Sequence, residues 1–138
     1  MRLKDRIALV FGAGSVGPGW GDGKASAVAY ARQGAIGACV DVNRAAADET
    51  VGIITGEGGR AMAFACDVTN EEQVKAVVDA VMAAHGRIDI LHNNVGTTKM
   101  GGPPDLSLED FRRQIDINLS GAFLACKYVI PVMQRQRK

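Results

Sequence analysis

The sequence predicts an α/β protein: an open, doubly wound sheet of four parallel strands in the order 3-2-1-4, followed by one long final helix. Three observations carry this. Short apolar runs alternate with segments of helical periodicity, a glycine-rich stretch separates the first run from the first helix, and no tract breaks the alternation. Strands linked by helices at this period take right-handed crossovers, which makes them parallel and puts helices on both faces. With 47% hydrophobic residues, the 138-residue chain can bury one core, removing roughly 68–70% of its unfolded surface from water.

The first strand is residues 6–11, Arg-Ile-Ala-Leu-Val-Phe. It runs into Gly12-Ala-Gly14-Ser15-Val-Gly17-Pro18-Gly19-Trp20-Gly21-Asp22-Gly23, and a helix over 24–33 follows. Residues 36–41 form a second strand bounded by glycine. Asn43 caps the next helix, which carries Ala45, Ala47, Val51 and Ile54 and stops in Gly56-Glu-Gly58-Gly59. Residues 61–65 make a third strand. Thr69-Asn-Glu-Glu72 fits a capping box, with Val74, Val77, Val78 and Val81 at helical spacing behind it and His85-Gly86 as the stop. The fourth strand is expected over 88–92. After Gly101-Gly102-Pro103-Pro104, Phe111, Ile115, Leu119, Phe123 and Leu124 mark a helix over 107–137, which Pro131 should kink or loosen near its end.

Composition narrows the classes. Sixteen basic against 15 acidic residues give a net charge of +1, no field to recruit nucleic acid or an anionic membrane. Cys39, Cys66 and Cys126 lie far apart without a Cys-x-x-Cys pair, so neither a zinc site nor a disulfide framework is expected, and a reducing cytoplasm is the expected location. The N-terminus lacks signal-peptide features, and no apolar run is expected to reach the roughly 20 residues that span a bilayer.

In a doubly wound sheet, ligands sit outside the carboxyl ends of the strands at the switch point, here between strands one and four. The glycine stretch reads as a phosphate cradle there: glycines let the backbone approach a pyrophosphate, and the helix behind them offers free N–H groups and the positive end of its dipole. Asp41 closes the second strand, 18 residues beyond Gly23, near the spacing at which an acid bonds the ribose hydroxyls of NAD and repels the extra phosphate of NADP. Arg44 could instead serve a 2′-phosphate or stand as an exposed first-turn residue. Cys66-Asp67-Val68-Thr69 and Asn93-Asn94-Val95-Gly96 follow strands three and four on the same edge. Trp20 either folds over the phosphates or anchors a long loop. His85 and His92 read as structural.

Together with Ile117-Asn118-Leu119-Ser120-Gly121 on the last helix, these segments in this order resemble the short-chain dehydrogenase/reductase family over essentially the whole chain. The resemblance implies a Rossmann-like fold, with residues 1–138 forming an incomplete NAD(P)-binding domain. It implies that Asp67-Val68 bracket the adenine, that Asn93 to Gly96 steady the central strand and line the cofactor, and that Asn118 interrupts helix hydrogen bonding and helps hold a catalytic lysine through a water. The expected cofactor contacts are Gly12, Ser15, Gly21, Gly23, Asp41, Asp67, Val68, Asn94 and Gly96, with Asn118 as the catalytic-site residue and no metal. NAD is favoured over NADP.

Two departures stand out. The family spacing Gly-x-x-x-Gly-x-Gly is met here only if five extra residues lie between Gly12 and the pair Gly21 and Gly23. Asp22 also replaces the usual apolar residue, and a carboxylate beside a pyrophosphate would repel it, so it must point away or the loop must be rerouted. The family's serine and Tyr-x-x-x-Lys pair are missing: Tyr30 and Tyr128 are followed four residues on by Gly34 and Val132. The expectation is therefore an oxidoreductase of NAD-dependent, alcohol/carbonyl type that is inactive as this truncated chain. The alternative is a non-catalytic dinucleotide-binding or self-associating fragment. Expected partners are the dinucleotide, a small alcohol or carbonyl if the site is completed, and a second copy, since the family helix matching the last one packs against its partner in dimers.

Overall fold

The computed structural model describes residues 1–137. Its strands are β1 (Ile7–Phe11), β2 (Ile36–Asp41), β3 (Arg60–Ala65) and β4 (Ile90–Asn93), all parallel in the order β3-β2-β1-β4. Between them run α1 (Asp22–Arg32), α2 (Arg44–Gly56) and α3 (Glu71–His85). After β4 come α4 (Leu108–Ile115), a π-helical turn over Asp116–Ser120, and α5 (Gly121–Gln136). The expected class and strand order are those observed.

Alternation along the central strands divides the core between two faces. Ile7, Leu9 and Phe11 of β1, with Ile36, Ala38 and Val40 of β2, pack on Val74, Val77, Val78 and Val81 of α3 and on Leu124, Ala125, Val129 and Val132 of α5. Val10 and Cys39 point the other way, onto Ala27, Val28 and Ala31 of α1 and Ile54 of α2. Every residue of β1 is at most 2% exposed, as a parallel strand covered on both faces requires. Truncating a side chain such as Leu9 there would cost about 2–5 kcal/mol.

Helix starts follow local chemistry. Asn43, Asn70 and Ser107 each accept a first-turn backbone N–H into the side chain, and Gly86 ends α3 at φ 69°. The second of these starts differs from the expected capping box. Asn70 is the cap, accepting from the Gln73 N–H at 3.1 Å, while the Thr69 hydroxyl donates to Asp67 at 2.7 Å. An asparagine one residue later competes for the same role and wins because Thr69 is drawn into the turn that Asp67 organises.

Three further expectations are revised. The fourth strand starts at Ile90 rather than 88: Asp89, 7% exposed in its side chain, is gathered by Arg6, Arg87 and the Ile7 N–H. Burial raises the Asp89 carboxyl, and these donors outweigh it, holding the pKa below the usual range. The last helix is divided by the π turn, and it continues through Pro131. Finally, Leu108–Gln136 is long and apolar enough to span a bilayer by length and composition, with mean hydropathy 1.3 over its window. Leu124, Ala125, Val129 and Val132 nevertheless lie in the core against the sheet, the placement of an amphipathic helix covering a sheet face.

The cysteines divide by burial. Burial pushes the Cys39 thiol up to about 12, and burial with the neighbouring Asp67 carboxylate pushes Cys66 up to about 11. Both stay protonated and covered at neutral pH, whereas Cys126 is half-buried. A thiol-reactive disulfide reagent should therefore modify one cysteine, Cys126, in the native chain and reach the other two only on unfolding. Three equally fast thiols would contradict this packing.

Candidate functional site

Four segments meet at the carboxyl ends of the strands because the ladders continue past them. The Gly12 and Ala13 N–H groups donate to Val40 O (2.8 and 2.9 Å), the Asn94 N–H to Phe11 O (3.0 Å), and the Cys66 N–H to Asp41 O (3.0 Å). This brings the segments carrying Gly12, Asp41, Cys66 and Asn94 to one edge, where the switch point between β1 and β4 was expected.

The glycine turn is built so that side chains cannot enter it. Gly12 has φ 79°, and a Cβ there would lie 3.0 Å from Val95 N. A Cβ on Gly23 would lie 1.8 Å from Gly12 O and 2.7 Å from Asn94 Nδ2. Between them, residues 16–20 form an excursion closed at its base: the Gly21 N–H donates to Ser15 Oγ at 2.8 Å, and Ser15 Oγ donates to Gly19 O at 3.1 Å. The extra residues leave and rejoin the turn at one point, so Gly21 still lies against Gly14 and Ser15, and Gly23 against Gly12. Asp22, the first residue of α1, is exposed. Unlike the capped starts of α2, α3 and α4, α1 begins at Gly21 without a side-chain cap, so its first N–H groups and dipole can face an anion.

Asp41 ties this turn to β2. Its Oδ2 accepts the Gly14 N–H and its Oδ1 the Asn43 N–H, both at 3.0 Å. Gly14 approaches so closely that a Cβ would lie 2.5 Å from Ala46 Cβ and 2.8 Å from Asp41 Oδ2. Thr50 is fully buried and donates to Ala13 O at 2.7 Å, pinning the turn to α2. Replacing Thr50 by valine keeps the shape and strands that carbonyl; the expected loss is about 1–3 kcal/mol, read as a lower urea midpoint at unchanged slope. An unchanged midpoint would contradict the role given to this bond.

Asp67 is exposed and accepts both the N–H and hydroxyl of Thr69, chiefly the hydroxyl, which together hold its carboxyl below the usual range. Val68 is 7% exposed, and Gly121 packs so tightly on it that a Cβ there would lie 2.7 Å from Val68 Cγ2. Val68 can therefore present only backbone to the edge. Asn94 Nδ2 donates to Gly12 O at 3.4 Å. Asn118, inside the π turn, donates to Thr97 O and Gln114 O (2.8 Å each) and accepts the Thr97 N–H at 3.0 Å. It clamps the loop after β4, and Gly96 passes so near that a Cβ would lie 3.0 Å from Asn118 Oδ1.

Three residues outside the expected contacts help to build the edge: Gly14, Thr50 and Lys24. Gly14 lies in the glycine stretch but, like Thr50, takes its particular role from the contact between the turn and α2. Lys24 is 3% exposed, and nothing in the sequence marks it as buried. The two tyrosines are engaged elsewhere: Tyr30 shares a 2.9 Å hydrogen bond with His92 Nδ1, and Tyr128 donates to Glu71 at 2.7 Å, which raises its pKa. Among the described residues, no group of three or more His, Cys, Asp or Glu is placed to hold a metal.

A parallel sheet in this order, with its loops gathered at the switch-point edge, defines a Rossmann-like α/β protein. Residues 6–138 match the family described as short chain dehydrogenase, and the chain belongs to that family. It is 44% identical to a D-threitol dehydrogenase of Mycolicibacterium smegmatis over 128 residues, covering 93% of this chain and 47% of that one. It is 36% identical to a 7alpha-hydroxysteroid dehydrogenase of Escherichia coli, covering 98% and 51%. A crystal structure of a short-chain dehydrogenase/reductase from Burkholderia xenovorans superposes with TM-score 0.95 at 45% identity, covering 98% of this chain and 54% of that one. The chain thus spans about half the length of the curated relatives it matches.

Proposed function

We propose that this chain is the cofactor-binding part of an NAD-dependent oxidoreductase that interconverts an alcohol and a carbonyl. What carries the reading is the Asp41 carboxylate fixed beside a turn that excludes side chains at Gly12 and Gly23. Gly21, Gly23 and the uncapped start of α1 would receive the pyrophosphate, with Ser15 holding the turn closed. Asp41 would accept the adenosine ribose hydroxyls and disfavour a 2′-phosphate. Asp67 and the Val68 backbone would border the adenine, while Asn94 and Gly96 would line the nicotinamide end. A dinucleotide bound there would supply or accept hydride.

Asn118 is proposed as a positioning residue that holds the loop from Thr97 against the π turn. Proton transfer would need a hydroxyl acid poised near the reacting oxygen, and neither Tyr30 nor Tyr128, each bonded elsewhere, is assigned that role. The chain as it stands is therefore read as binding cofactor without turnover; its three free cysteines support the cytoplasm as its location. A titration of NADH and NADPH by calorimetry tests this: saturable binding with NADH the tighter ligand is expected, and NADPH binding equally well would overturn the NAD assignment.

One observation favours the second reading, a self-associating module. Leu108, Phe111, Leu119 and Phe123 are each more than half exposed along α4, the π turn and α5, and β4 is an edge strand. Sedimentation at rising concentration distinguishes the two, since a purely monomeric chain would remove the support for association.

A further inference from the structure

We propose that Lys24 is a positioning residue for the dinucleotide site, fixing the excursion 16–20 so that Trp20 forms a wall on its adenosine side; the inference rests on the dinucleotide reading above. Lys24 stands in the first turn of α1 yet is only 3% exposed. That placement is doubly costly for an ammonium, which loses water and faces the positive end of the helix dipole. It is held by compensation from three directions. The Nζ donates to Glu49 on α2 at 2.6 Å and to Gly19 O inside the excursion at 3.1 Å, and it lies 5.3 Å from the centroid of the Trp20 ring.

The Glu49 side chain is 62% exposed, so the pair reaches solvent on one side and adds little stability; its specific effect here is geometric. One side chain joins the start of α1, the middle of α2 and residues 19 and 20 of the excursion. The excursion leaves the turn next to Gly14, whose N–H is held by Asp41, and returns at Gly21, where α1 begins. In chain order it therefore runs from beside the group proposed to hold the adenosine ribose to the N–H groups proposed to face the pyrophosphate, and Lys24 ties its residue 19 to α2, the helix that follows Asp41. Nothing lies within 4 Å of a Cβ built on Gly17 or Gly19, so the outer part of the excursion has no packing of its own. Without the Lys24 anchor, Trp20, 58% exposed, would be free to swing away.

Trp20 is the single tryptophan of the chain, so indole fluorescence reports on this excursion alone. Lys24→Met removes the ammonium while keeping apolar length, and Glu49→Gln removes the partner's charge as a milder second variant. Three quantities would be measured on wild type and both variants: acrylamide quenching of Trp20, calorimetric affinity for NADH and for ADP-ribose, and energy transfer from Trp20 to bound NADH at saturation. In Lys24→Met, quenching should rise, transfer at saturation should fall, and both ligands should weaken by the same factor, about two- to tenfold, the cost of ordering one side chain on binding. Glu49→Gln should move each quantity the same way by less. If wild type and both variants bind NADH equally with equal transfer, or if only NADH and not ADP-ribose weakens, the anchor has no role on the adenosine side and the proposal fails. If wild type binds neither NADH nor NADPH, the dinucleotide reading fails and takes this inference with it, an outcome separate from the first two.

Discussion

Gly23→Ala should destabilise the chain by about 2–3 kcal/mol net and abolish dinucleotide binding. Alanine is the better helix former by about 1 kcal/mol, so propensity alone predicts a gain. The clash decides the sign. The new Cβ would lie 1.8 Å from Gly12 O and 2.7 Å from Asn94 Nδ2, and the first of these is backbone fixed by the ladder to Val40. Either α1 or the turn must shift, and both carry the cradle. Gly52→Ala is the control: Gly52 lies within α2, and nothing lies within 4 Å of its built Cβ, so that change should stabilise by up to about 1 kcal/mol. Urea unfolding of the two variants checks the pair, and shifts of the same sign would mean that the close approach of α1 to the turn is not as described.

Asp41→Ala should weaken NADH by roughly ten- to a hundredfold, the loss expected when hydrogen bonds to a charged acceptor disappear. NADPH should weaken less, because the same change removes the carboxylate that would repel a 2′-phosphate. Part of the loss is indirect, since Asp41 holds the Gly14 and Asn43 N–H groups and its removal loosens the turn for either cofactor. Asp41→Asn separates the two effects by keeping a side-chain oxygen to accept while removing the charge. Its NADH loss should be smaller and its NADPH binding improved. Equal losses for both cofactors in both variants would reduce Asp41 to a turn residue.

The architecture was legible because each element announces itself locally. Residues 36–41 and Asn43 behave as read, and Gly86 stops α3 where glycine with positive φ is the natural terminator. What the sequence hid was decided by tertiary contact. The displacement of the fourth strand follows from the gathering of Asp89 by two arginines, and the π turn from Asn118 spending its side chain on Thr97 and Gln114. The five extra residues in the glycine stretch made its spacing look irregular, and only the Ser15 to Gly21 bond shows that the turn closes beneath them. Val68, chosen from sequence as a cofactor neighbour, lies under Gly121, so its side chain serves the core. Segments with motif spacing could be placed at the edge in advance, whereas Gly14, Thr50 and Lys24 acquire their roles only when α1 and α2 are brought against the turn.

The proposed site has the edge above β1 and β2 receive a dinucleotide whose ribose hydroxyls meet Asp41. Parallel calorimetric titrations of NADH into wild type and Asp41→Ala decide whether it does. Saturable one-to-one binding by wild type and a clearly weaker curve for the variant are predicted. No saturable heat with wild type at millimolar NADH, or identical curves for the two proteins, would contradict it.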